Sequence, residues 1–426
     1  MAEIKGFKGI LYNTEKASKI ESLVCPPYDI ISKDEREQLI KNNKYNMVNL
    51  ELPVAENKYE KAGQDFKAWC ESGILQKDEK DSIYIYEEEF MAYGKKHKIK
   101  GFISLVRIEE FAKNIILPHE ETLSKAKDDR FNLMSTTNAN FSQIYSLYID
   151  DKKEISSKIA ELSNGVPDIE FTLADGVTHR FYKISDEKAI ADIAAKFENR
   201  KLFIADGHHR YETALNYRNK LIENGTITDK NHLGNFVMMM LVDMENDGLV
   251  VFPTHRILSG LENFSESEKL EKISEFFKVE KINSIDNIEN ELLEDQTKTV
   301  FAFYTGKDYY FRLTKKENVE LKDFITDKSN AYCDLDVTAL HTLILEKIFG
   351  IDKANMANGK NLTYTRDISE AISKVQSGNS DCSFIINATK VTQIKDVALA
   401  KEKMPQKSTY FYPKIITGLV INKFID

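Results

Sequence analysis

The segment 201–217, KLFIADGHHRYETALNY, constrains the fold of this chain more than any other stretch. Its short apolar run, Leu202-Phe203-Ile204, is typical of a buried strand, and Asp206-Gly207 ends that run with a tight turn. After the glycine, apolar residues recur at the spacing of one helix face, namely at Tyr211, Ala214, Leu215, Leu221 and Ile222. The segment therefore predicts a strand, a turn and a helix in direct succession.

Two histidines and an arginine, His208, His209 and Arg210, fall in the first turn of that predicted helix. Unpaired backbone N–H groups and the positive end of the helix dipole favour an anion at this place. Together with the turn, DGHHR combines a carboxylate, a permissive glycine, two imidazoles and a guanidinium, which indicates a phosphate-binding site. The alternative is an ordinary turn, in which Asp206 caps the helix and the histidines are surface polar groups.

The mixture of short strands, hairpins and helices predicts an α+β fold with mixed sheets and flanking helices, rather than a regularly alternating parallel sheet. At 426 residues the chain is too long for one domain of ordinary size. We place an N-terminal α+β region at 1–260 and a C-terminal α+β region at 261–426. The charged, helix-rich stretch that begins at residue 261 indicates the seam between them.

Charge and hydropathy exclude several classes of partner. The net charge is −9 and basic residues are interspersed with acidic ones, so we expect no nucleic-acid surface. No signal-peptide pattern opens the chain and the apolar run 237–242 is far shorter than a membrane span, so we expect a cytoplasmic protein without membrane contact. The four cysteines are widely separated, which indicates free thiols rather than disulfides or a zinc site.

A second polar cluster lies in 115–130, IILPHEETLSKAKDDR, where Pro118 ends an apolar run and His119 and Glu120 follow at once. A carboxylate beside a histidine after a strand suits a general base, because burial and a charged neighbour can bring its pKa toward neutrality. Acidic residues that favour a helix N-terminus explain the same pattern equally well.

The motif VCPPYD at 24–29 combines two stiffening prolines with Tyr28 and Asp29. It predicts either a rigid loop that enters a helix capped by Ser32 or a part of a binding site.

Three pairs of strands are expected to form hairpins, which are 83–86 with 101–108, 236–242 with 249–252, and 300–304 with 309–313. The second of these runs into PTHR, so His255 and Arg256 are candidates for the same pocket. Residues 335–349 predict an amphipathic helix whose His341 is most simply a core or surface residue.

The loop MPQKSTYFYPK at 404–414 is polar and flanked by prolines. Its Lys407, Ser408 and Thr409 offer a cation and two hydroxyls, which suit phosphate or substrate oxygens. The alternative is an exposed turn.

Taken in order, VCPPYD, ILPHEET, ADGHHRYETAL, PTHR and MPQKSTYFYPK make the chain resemble, over nearly its full length, the bacterial family called domain of unknown function 1015. The segments PHE at 118–120, DGHHR at 206–210 and a PxKxT-like element at 405–409 are also similar to the free serine kinases of archaea. Because those kinases have a ParB/sulfiredoxin-like fold, the resemblance implies such a core, here with large insertions.

The resemblance implies a phosphotransferase that moves a phosphoryl group from a nucleoside phosphate to the hydroxyl of free L-serine, giving O-phosphoserine. The glutamate of PHE is the base in the archaeal kinases, which implies that role for Glu120. The DGHHR match implies that Asp206 and His209 take part in catalysis beside it.

The other implied site residues divide into two sets. Those expected to contact nucleotide or phosphate are Gly207, His208, Arg210, Lys407, Ser408 and Thr409. Those expected in the substrate pocket are His119, Tyr28, Asp29, His255 and Arg256.

The implied co-substrate is ATP or ADP, accompanied by Mg²⁺, for which no protein ligands are assigned. No Walker A sequence is present, which argues against a P-loop kinase. Two alternatives remain: a nucleotide-binding switch or scaffold of ParB-like type, and the same site in reverse, which dephosphorylates phosphoserine. The sequence predicts no oligomeric state.

Overall fold

The computed structural model describes residues 1–122, 124–286, 288–293, 297–352, 355–356 and 359–425. Contacts between residues divide the chain into two compact units. The first unit comprises Met1–Pro118, Thr122–Val250 and Pro413–Asp426, and the second comprises His119–Glu121 and Val251–Tyr412. The sequence predicted one domain at 1–260 and another at 261–426. Contacts do not test whether these domains fold independently, so this division stays a prediction. The predicted α+β class is confirmed by the elements below.

The first unit contains a large mixed sheet and the helices that cover it. Its strands before residue 250 are β1 Ile4–Lys5, β2 Ile10–Tyr12, β3 Leu75–Lys77, β4 Ile83–Ala92, β5 Lys95–Arg107, β6 Ile116–Leu117, β7 Ala139–Asn140, β8 Ile144–Tyr148, β9 Ile169–Thr172, β10 Thr178–Ile184, β11 Leu202–Asp206 and β12 Phe236–Asp243. Its helices are α1 Thr14–Ala17, α2 Lys33–Asn42, α3 Val48–Glu51, α4 Lys58–Glu71, α5 Ser124–Thr137, α6 Glu154–Leu162, α7 Glu187–Phe197 and α8 His208–Glu223.

Among the described residues, nine of these strands form one sheet in the order β6-β11-β8-β12-β5-β4-β10-β9, with β1 paired to β5. The predicted hairpin at 83–108 is confirmed, because β4 and β5 pair antiparallel around the Gly94 turn. The predicted hairpin between 236–242 and 249–252 is wrong. Strand β12 is hydrogen-bonded to β5 on one side and to β8 on the other, so no edge of it is left for the later strand.

The second unit contains a six-stranded sheet in the order β15-β17-β16-β19-β14-β18. Its strands are β13 Val250–Phe252, β14 His255–Leu258, β15 Phe277–Ile282, β16 Val300–Tyr304, β17 Tyr310–Lys315, β18 Leu362–Thr365, β19 Cys382–Ile386 and β20 Tyr410–Tyr412, with β13 paired to β20. Its α-helices are α9 Glu266–Phe276, α10 Ile288–Leu293, α11 Asn330–Cys333, α12 Asp336–Ala339, α13 Ile368–Gln376 and α14 Val391–Leu399.

Two predictions for the second unit are confirmed. Strands β16 and β17 form the hairpin expected around Gly306. The helix expected at 335–349 begins as α12 and continues as a π-helix at Leu340–Glu346, a form that is often found at functional sites. His341 lies in that π-helix and is buried.

The final segment belongs to the first unit. Its strand β21, Asn422–Lys423, pairs with β7. Thr417 exchanges backbone hydrogen bonds with Cys25, and Gln143 Nε2 donates to the Ile416 carbonyl at 2.8 Å. Residues from opposite ends of the sequence are therefore held together within one unit.

Candidate functional site: two charged clusters

The strand, turn and helix predicted at 201–217 are present, with β11 ending at Asp206 and α8 beginning at His208. Of the expected apolar face, Tyr211, Ala214, Leu215 and Leu221 are buried, whereas Ile222 is exposed. Gly207 is the N-cap residue and has φ +94°, so the alternative in which Asp206 caps the helix is not what the structure shows. A Cβ on Gly207 would lie 2.9 Å from Arg210 Nε, which explains the need for glycine at this turn.

Asp206 instead accepts hydrogen bonds from two cations. Arg210 Nη2 donates to one carboxylate oxygen at 2.6 Å, and Lys414 Nζ donates to the other. Burial by itself would raise the pKa of Asp206, but the charges of Lys414 and Arg210 outweigh it and hold that pKa well below its usual range. The carboxylate is therefore ionised at neutral pH and is unsuited to accept a proton.

Arg210 is fixed on both arms of its guanidinium. Its Nη1 donates to the Gln143 carbonyl at 2.5 Å, while Nη2 binds Asp206. Its Nε has no hydrogen-bond partner among the described residues. The side chain is buried, so the first turn of α8 presents a rigid, positively charged group next to its backbone N–H groups. This is chemistry that stabilises anionic oxygens.

The two histidines differ in exposure. His208 is buried, and its imidazole, when protonated, also favours the ionised form of Asp206. His209 is half-buried. Their place in the first turn of α8 is as predicted, and their roles toward phosphate and substrate stay predictions.

The VCPPYD motif lies near Arg210 in the same unit. The Tyr28 ring faces the Arg130 guanidinium, with 4.2 Å between the ring centroid and Cζ. Burial raises the pKa of Tyr28 to about 12, helped by Asp29 and opposed by the charges of Arg130 and Arg210. Asp29 is exposed, and Ser32 caps α2 with a capping box, as the loop interpretation predicted.

The second unit brings PHE and MPQKST together. His119 is fully buried, and its Nε2 lies 3.0 Å from Thr409 Oγ1. The Met404 N–H donates to the His119 carbonyl at 2.8 Å. The half-buried Glu120 follows directly in the chain. No acidic residue lies in the first turn of α5, so a helix-dipole origin of the PHEET acids finds no support there.

The Lys407–Thr409 loop is held by its neighbours. Ser408 is buried; its Oγ donates to the Pro405 carbonyl, and Thr389 Oγ1 donates to the Ser408 carbonyl at 2.8 Å. Lys407 has φ +57°, in the left-handed region. The alternative of an ordinary exposed turn is therefore wrong for Ser408, whose hydroxyl is used inside the loop.

The PTHR motif contacts the same loop. Arg256 is fully buried and its Nη2 donates to the Lys407 carbonyl at 3.2 Å. His255 is also buried; its Nδ1 accepts from the Ile386 N–H at 3.3 Å, and burial lowers its pKa to about 4. Their expected place in the substrate pocket stays a prediction.

The motifs thus divide between the units. VCPPYD and DGHHR belong to the first unit, and the His119–Glu121 segment, PTHR and MPQKST belong to the second. The expectation that Glu120 and His209 share one pocket stays a prediction, because these two residues belong to different units.

Four residues that contact the candidate site residues were not predicted from the sequence. Lys414 and Arg130 each end a stretch that had been singled out, so their positions in the motifs were an available signal. Gln143 and Thr389 act through a backbone carbonyl and a single hydroxyl, and no sequence pattern marks them.

The side chains of Asp206, Arg210 and Lys414 in the first unit do not form a site that fits a metal ion. Both carboxylate oxygens of Asp206 already accept hydrogen bonds from cations, which would repel Mg²⁺. Within the described ranges, no group of three or more His, Cys, Asp or Glu residues is placed to hold a metal. Nor does any described helix have the length and apolar character that crossing a membrane requires.

These observations define the class of the protein, which is an α+β protein with two clusters of cations, imidazoles and hydroxyls. The chain belongs to the family described as "Protein of unknown function (DUF1015)", whose model matches residues 4–338. The Met404–Lys414 loop lies beyond the matched range.

Several solved structures are similar to this chain at low identity. A free serine kinase in complex with AMP is 14% identical, with 72% of this chain and 89% of that chain covered and a TM-score of 0.35. SbnI with a C-terminal truncation from Staphylococcus aureus is 10% identical, with 75% and 87% covered and a TM-score of 0.37. A conserved hypothetical protein from Pyrococcus furiosus is 13% identical, with 71% and 89% covered and a TM-score of 0.34. These values carry no functional argument. The search of curated protein sequences returned no match.

Proposed function

We propose that this protein is a phosphotransferase that transfers a phosphoryl group from ATP or ADP to the hydroxyl of free L-serine, and that its core is ParB/sulfiredoxin-like. The PHE, DGHHR and PxKxT-like motifs support this reaction through their resemblance to free serine kinases. Transfer of a phosphoryl group needs an aligned hydroxyl and donors that neutralise oxygens, and both clusters offer such groups.

The contact between His119 and Thr409 is the observation that carries the proposal. It joins segments 290 residues apart, which supports a site made of the Glu120 segment and the Lys407–Thr409 loop. In this proposal the Glu120 carboxylate takes a proton, and the exposed Lys407 ammonium meets phosphate oxygens.

Glu120 and Lys407 have different chemical roles in this proposal. Glu120 accepts the proton of the serine hydroxyl as the serine oxygen bonds to the terminal phosphorus and the bond to the leaving nucleotide oxygen breaks. Lys407 neutralises charge on phosphate oxygens. Within the first unit, Arg210 and the N–H groups at the start of α8 can bind an anion, and Asp206 keeps Arg210 in position. Mg²⁺ is expected to enter with the nucleotide, and no step depends on protein ligands to it.

The test is a product assay by mass spectrometry with L-serine, Mg²⁺ and either ATP or ADP. Glu120→Gln should lower phosphoserine formation by roughly 10²- to 10⁴-fold, because the general base is lost. Glu121→Gln is the matched control, since Glu121 is the exposed neighbour in the same segment, and it should retain activity. Absence of product with either donor, or equal activity of the two variants, would contradict the proposal.

The alternatives give different results in the same assay. A site that runs in reverse would form serine from phosphoserine, and Glu120→Gln would slow that reaction instead. A nucleotide-binding switch would bind ADP without forming product, and Glu120→Gln would leave its binding unchanged.

A further inference from the structure

Arg256 lies on an interior strand of the second unit's sheet, next to the edge strand β18. Its strand β14 is paired with β18 on one side, opposite Tyr364, and with β19 on the other, opposite Phe384. The Tyr364 ring lies under the guanidinium, with 5.5 Å from the ring centroid to Cζ. The backbone from which this side chain extends is therefore held on both edges, and the guanidinium has little freedom.

The guanidinium is fully buried, yet among the described residues no carboxylate lies within ion-pair distance of it. Burial lowers the pKa of Arg256 to about 10, which still leaves it charged at neutral pH. A buried charge without an opposite charge is unfavourable unless its donors are satisfied. The groups that accept hydrogen bonds from the guanidinium therefore indicate its structural role.

One nitrogen of the guanidinium, Nη2, points to the MPQKST loop, while Nε has no hydrogen-bond partner among the described residues. Nη2 donates to the Lys407 carbonyl at 3.2 Å, with the Gln406 carbonyl at 3.5 Å and His341 Nε2 at 3.3 Å. Nη1 donates to the carbonyl of Thr254. The guanidinium thus binds the backbone of the MPQKST loop immediately before Ser408 and Thr409.

That loop has a backbone conformation that needs support. Lys407 has φ +57°, which a residue with a side chain rarely adopts. A bond from a buried cation to the Lys407 carbonyl fixes the orientation of its peptide group. The Lys407 side chain and the hydroxyl of Thr409, which reaches His119, are placed by the same turn.

We infer that Arg256 is a positioning residue, which holds the Lys407–Thr409 loop in its left-handed turn through the Lys407 and Gln406 carbonyls, with His341 as its neighbour on the π-helix. Arg256 then acts on the site through the loop. The effect of Arg256 on nucleotide binding rests on the proposed function, whereas its effect on the conformation of the loop does not.

Hydrogen exchange measured by mass spectrometry tests the effect on the loop without any assay of activity. Arg256→Met should speed exchange of peptides that cover 404–412 by ~10-fold, with peptides of the first unit unchanged, because the loop loses its charged hydrogen bonds. Arg312→Met is the matched control, since Arg312 lies on β17 of the same sheet, three strands from β14, and this change should leave the loop unaffected. Unchanged exchange in 404–412 would overturn the inference.

Arg256→Lys keeps the charge and separates positioning from a general loss of folding. If Arg256→Met does not fold, Arg256→Lys should still show faster exchange in the loop, because one ammonium cannot span the contacts of the forked guanidinium. Exchange in the lysine variant that matches the unchanged protein would overturn the inference.

The kinetic test separates this inference from the proposed function. Arg256→Met should raise the KM for nucleotide by ~10-fold and change kcat by less than ~2-fold, because a loop that contacts phosphate in ground and transition states alike affects binding. Arg256→Lys should restore part of the affinity. If the unchanged protein forms no phosphoserine, the proposed function fails and the exchange result alone decides the inference.

Discussion

Lys414 donates a hydrogen bond to Asp206, a residue 208 positions earlier in the chain, and so closes a charged triad with Arg210. Both cationic side chains are 10% exposed and the Asp206 side chain is 16% exposed, so solvent does little to screen the triad. Removal of this anion would take away the carboxylate that both cations bind.

Asp206→Asn should therefore lower the free energy of unfolding by about 3 kcal/mol, since it breaks a largely buried charge pair from one side. Urea unfolding measures this. Asp192→Asn is the control, because Asp192 pairs with Lys196 at 2.6 Å but its side chain is 48% exposed, so a loss below about 1 kcal/mol is expected there. Equal losses in the two variants would mean that the triad contributes no special stability.

The pH dependence of the same variant has a definite sign. The pKa of Asp206 is depressed in the folded protein, so its contribution is present above its unfolded pKa of about 4 and is lost as pH falls through the lower folded value. The difference in unfolding free energy between the unchanged protein and Asp206→Asn should be constant near pH 7 and should shrink below about pH 4. A difference that grows in acid would contradict this assignment.

Glu88 gives the opposite pH dependence. It is buried beside Tyr86, whose Oη donates to it at 3.0 Å, and burial raises the pKa of Glu88 to about 7. Ionisation is easier in the unfolded chain, so the folded state loses stability as pH rises from about 4.5 to 7 and no more above that. Glu88→Gln should remove this penalty, which amounts to about 3 kcal/mol for such a shift.

Unfolding of Glu88→Gln as a function of pH provides the measurement. Its stability relative to the unchanged protein should rise between pH 4.5 and 7 and then level off. Glu89→Gln is the control on the same strand, because the hydrogen bond from Lys96 lowers the pKa of Glu89. That variant should lose relative stability as pH rises, so parallel curves for the two variants would refute the prediction.

Gly207→Ala should be more harmful than the same substitution at Gly225, where an added Cβ meets nothing. Gly207 has φ +94° and its added Cβ would press on Arg210 Nε, so both backbone strain and displacement of the guanidinium are expected. We expect a loss above about 2 kcal/mol in unfolding free energy, together with weaker nucleotide binding in calorimetry. Gly225→Ala is the control, since Gly225 has φ +75° with nothing within 4 Å of the added atom, and its loss should be about 1 kcal/mol.

Thr409→Val tests the contact on which the proposed function depends. It removes the hydroxyl that lies 3.0 Å from His119 Nε2 and keeps the volume of the side chain. Phosphoserine formation should fall by about tenfold, because a hydrogen bond to a buried group contributes roughly 1 kcal/mol or more. Thr363→Val, on the exposed face of β18, should retain full activity, and equal rates for the two variants would argue against a role for this contact.

Local patterns predicted much of the secondary structure because they depend on neighbouring residues. The apolar run before Asp206-Gly207, the capping box at Ser32 and the hairpin around Gly306 each arise from a few adjacent side chains. The hairpin expected between 236–242 and 249–252 failed for a non-local reason. Partners from β5 and β8 occupy both edges of β12, and a local pattern carries no information about such distant partners.

In the candidate site, too, contacts between distant residues could not be predicted from local patterns. His341 is a buried residue, as the core interpretation predicted, but its partner, the guanidinium of Arg256 at 3.3 Å, lies 85 residues earlier and was not predicted. Thr389 and Gln143 bear no sequence signal at all, because a hydroxyl or a backbone carbonyl acquires a role only from what lies opposite it. Ile222 fits the apolar period of α8 and is nevertheless exposed, since the period does not state how far the covered face extends.

By itself the sequence determined that a strand ends at Asp206, that a helix begins after Gly207 with two histidines and an arginine in its first turn, and that the chain is α+β. Only the tertiary structure decided that Asp206 binds Lys414 and Arg210 rather than capping α8, and that His119 meets Thr409. The reason is physical. Strand and helix propensities are properties of short segments, whereas a buried charge selects its partner by distance, and the packing of the whole unit sets that distance.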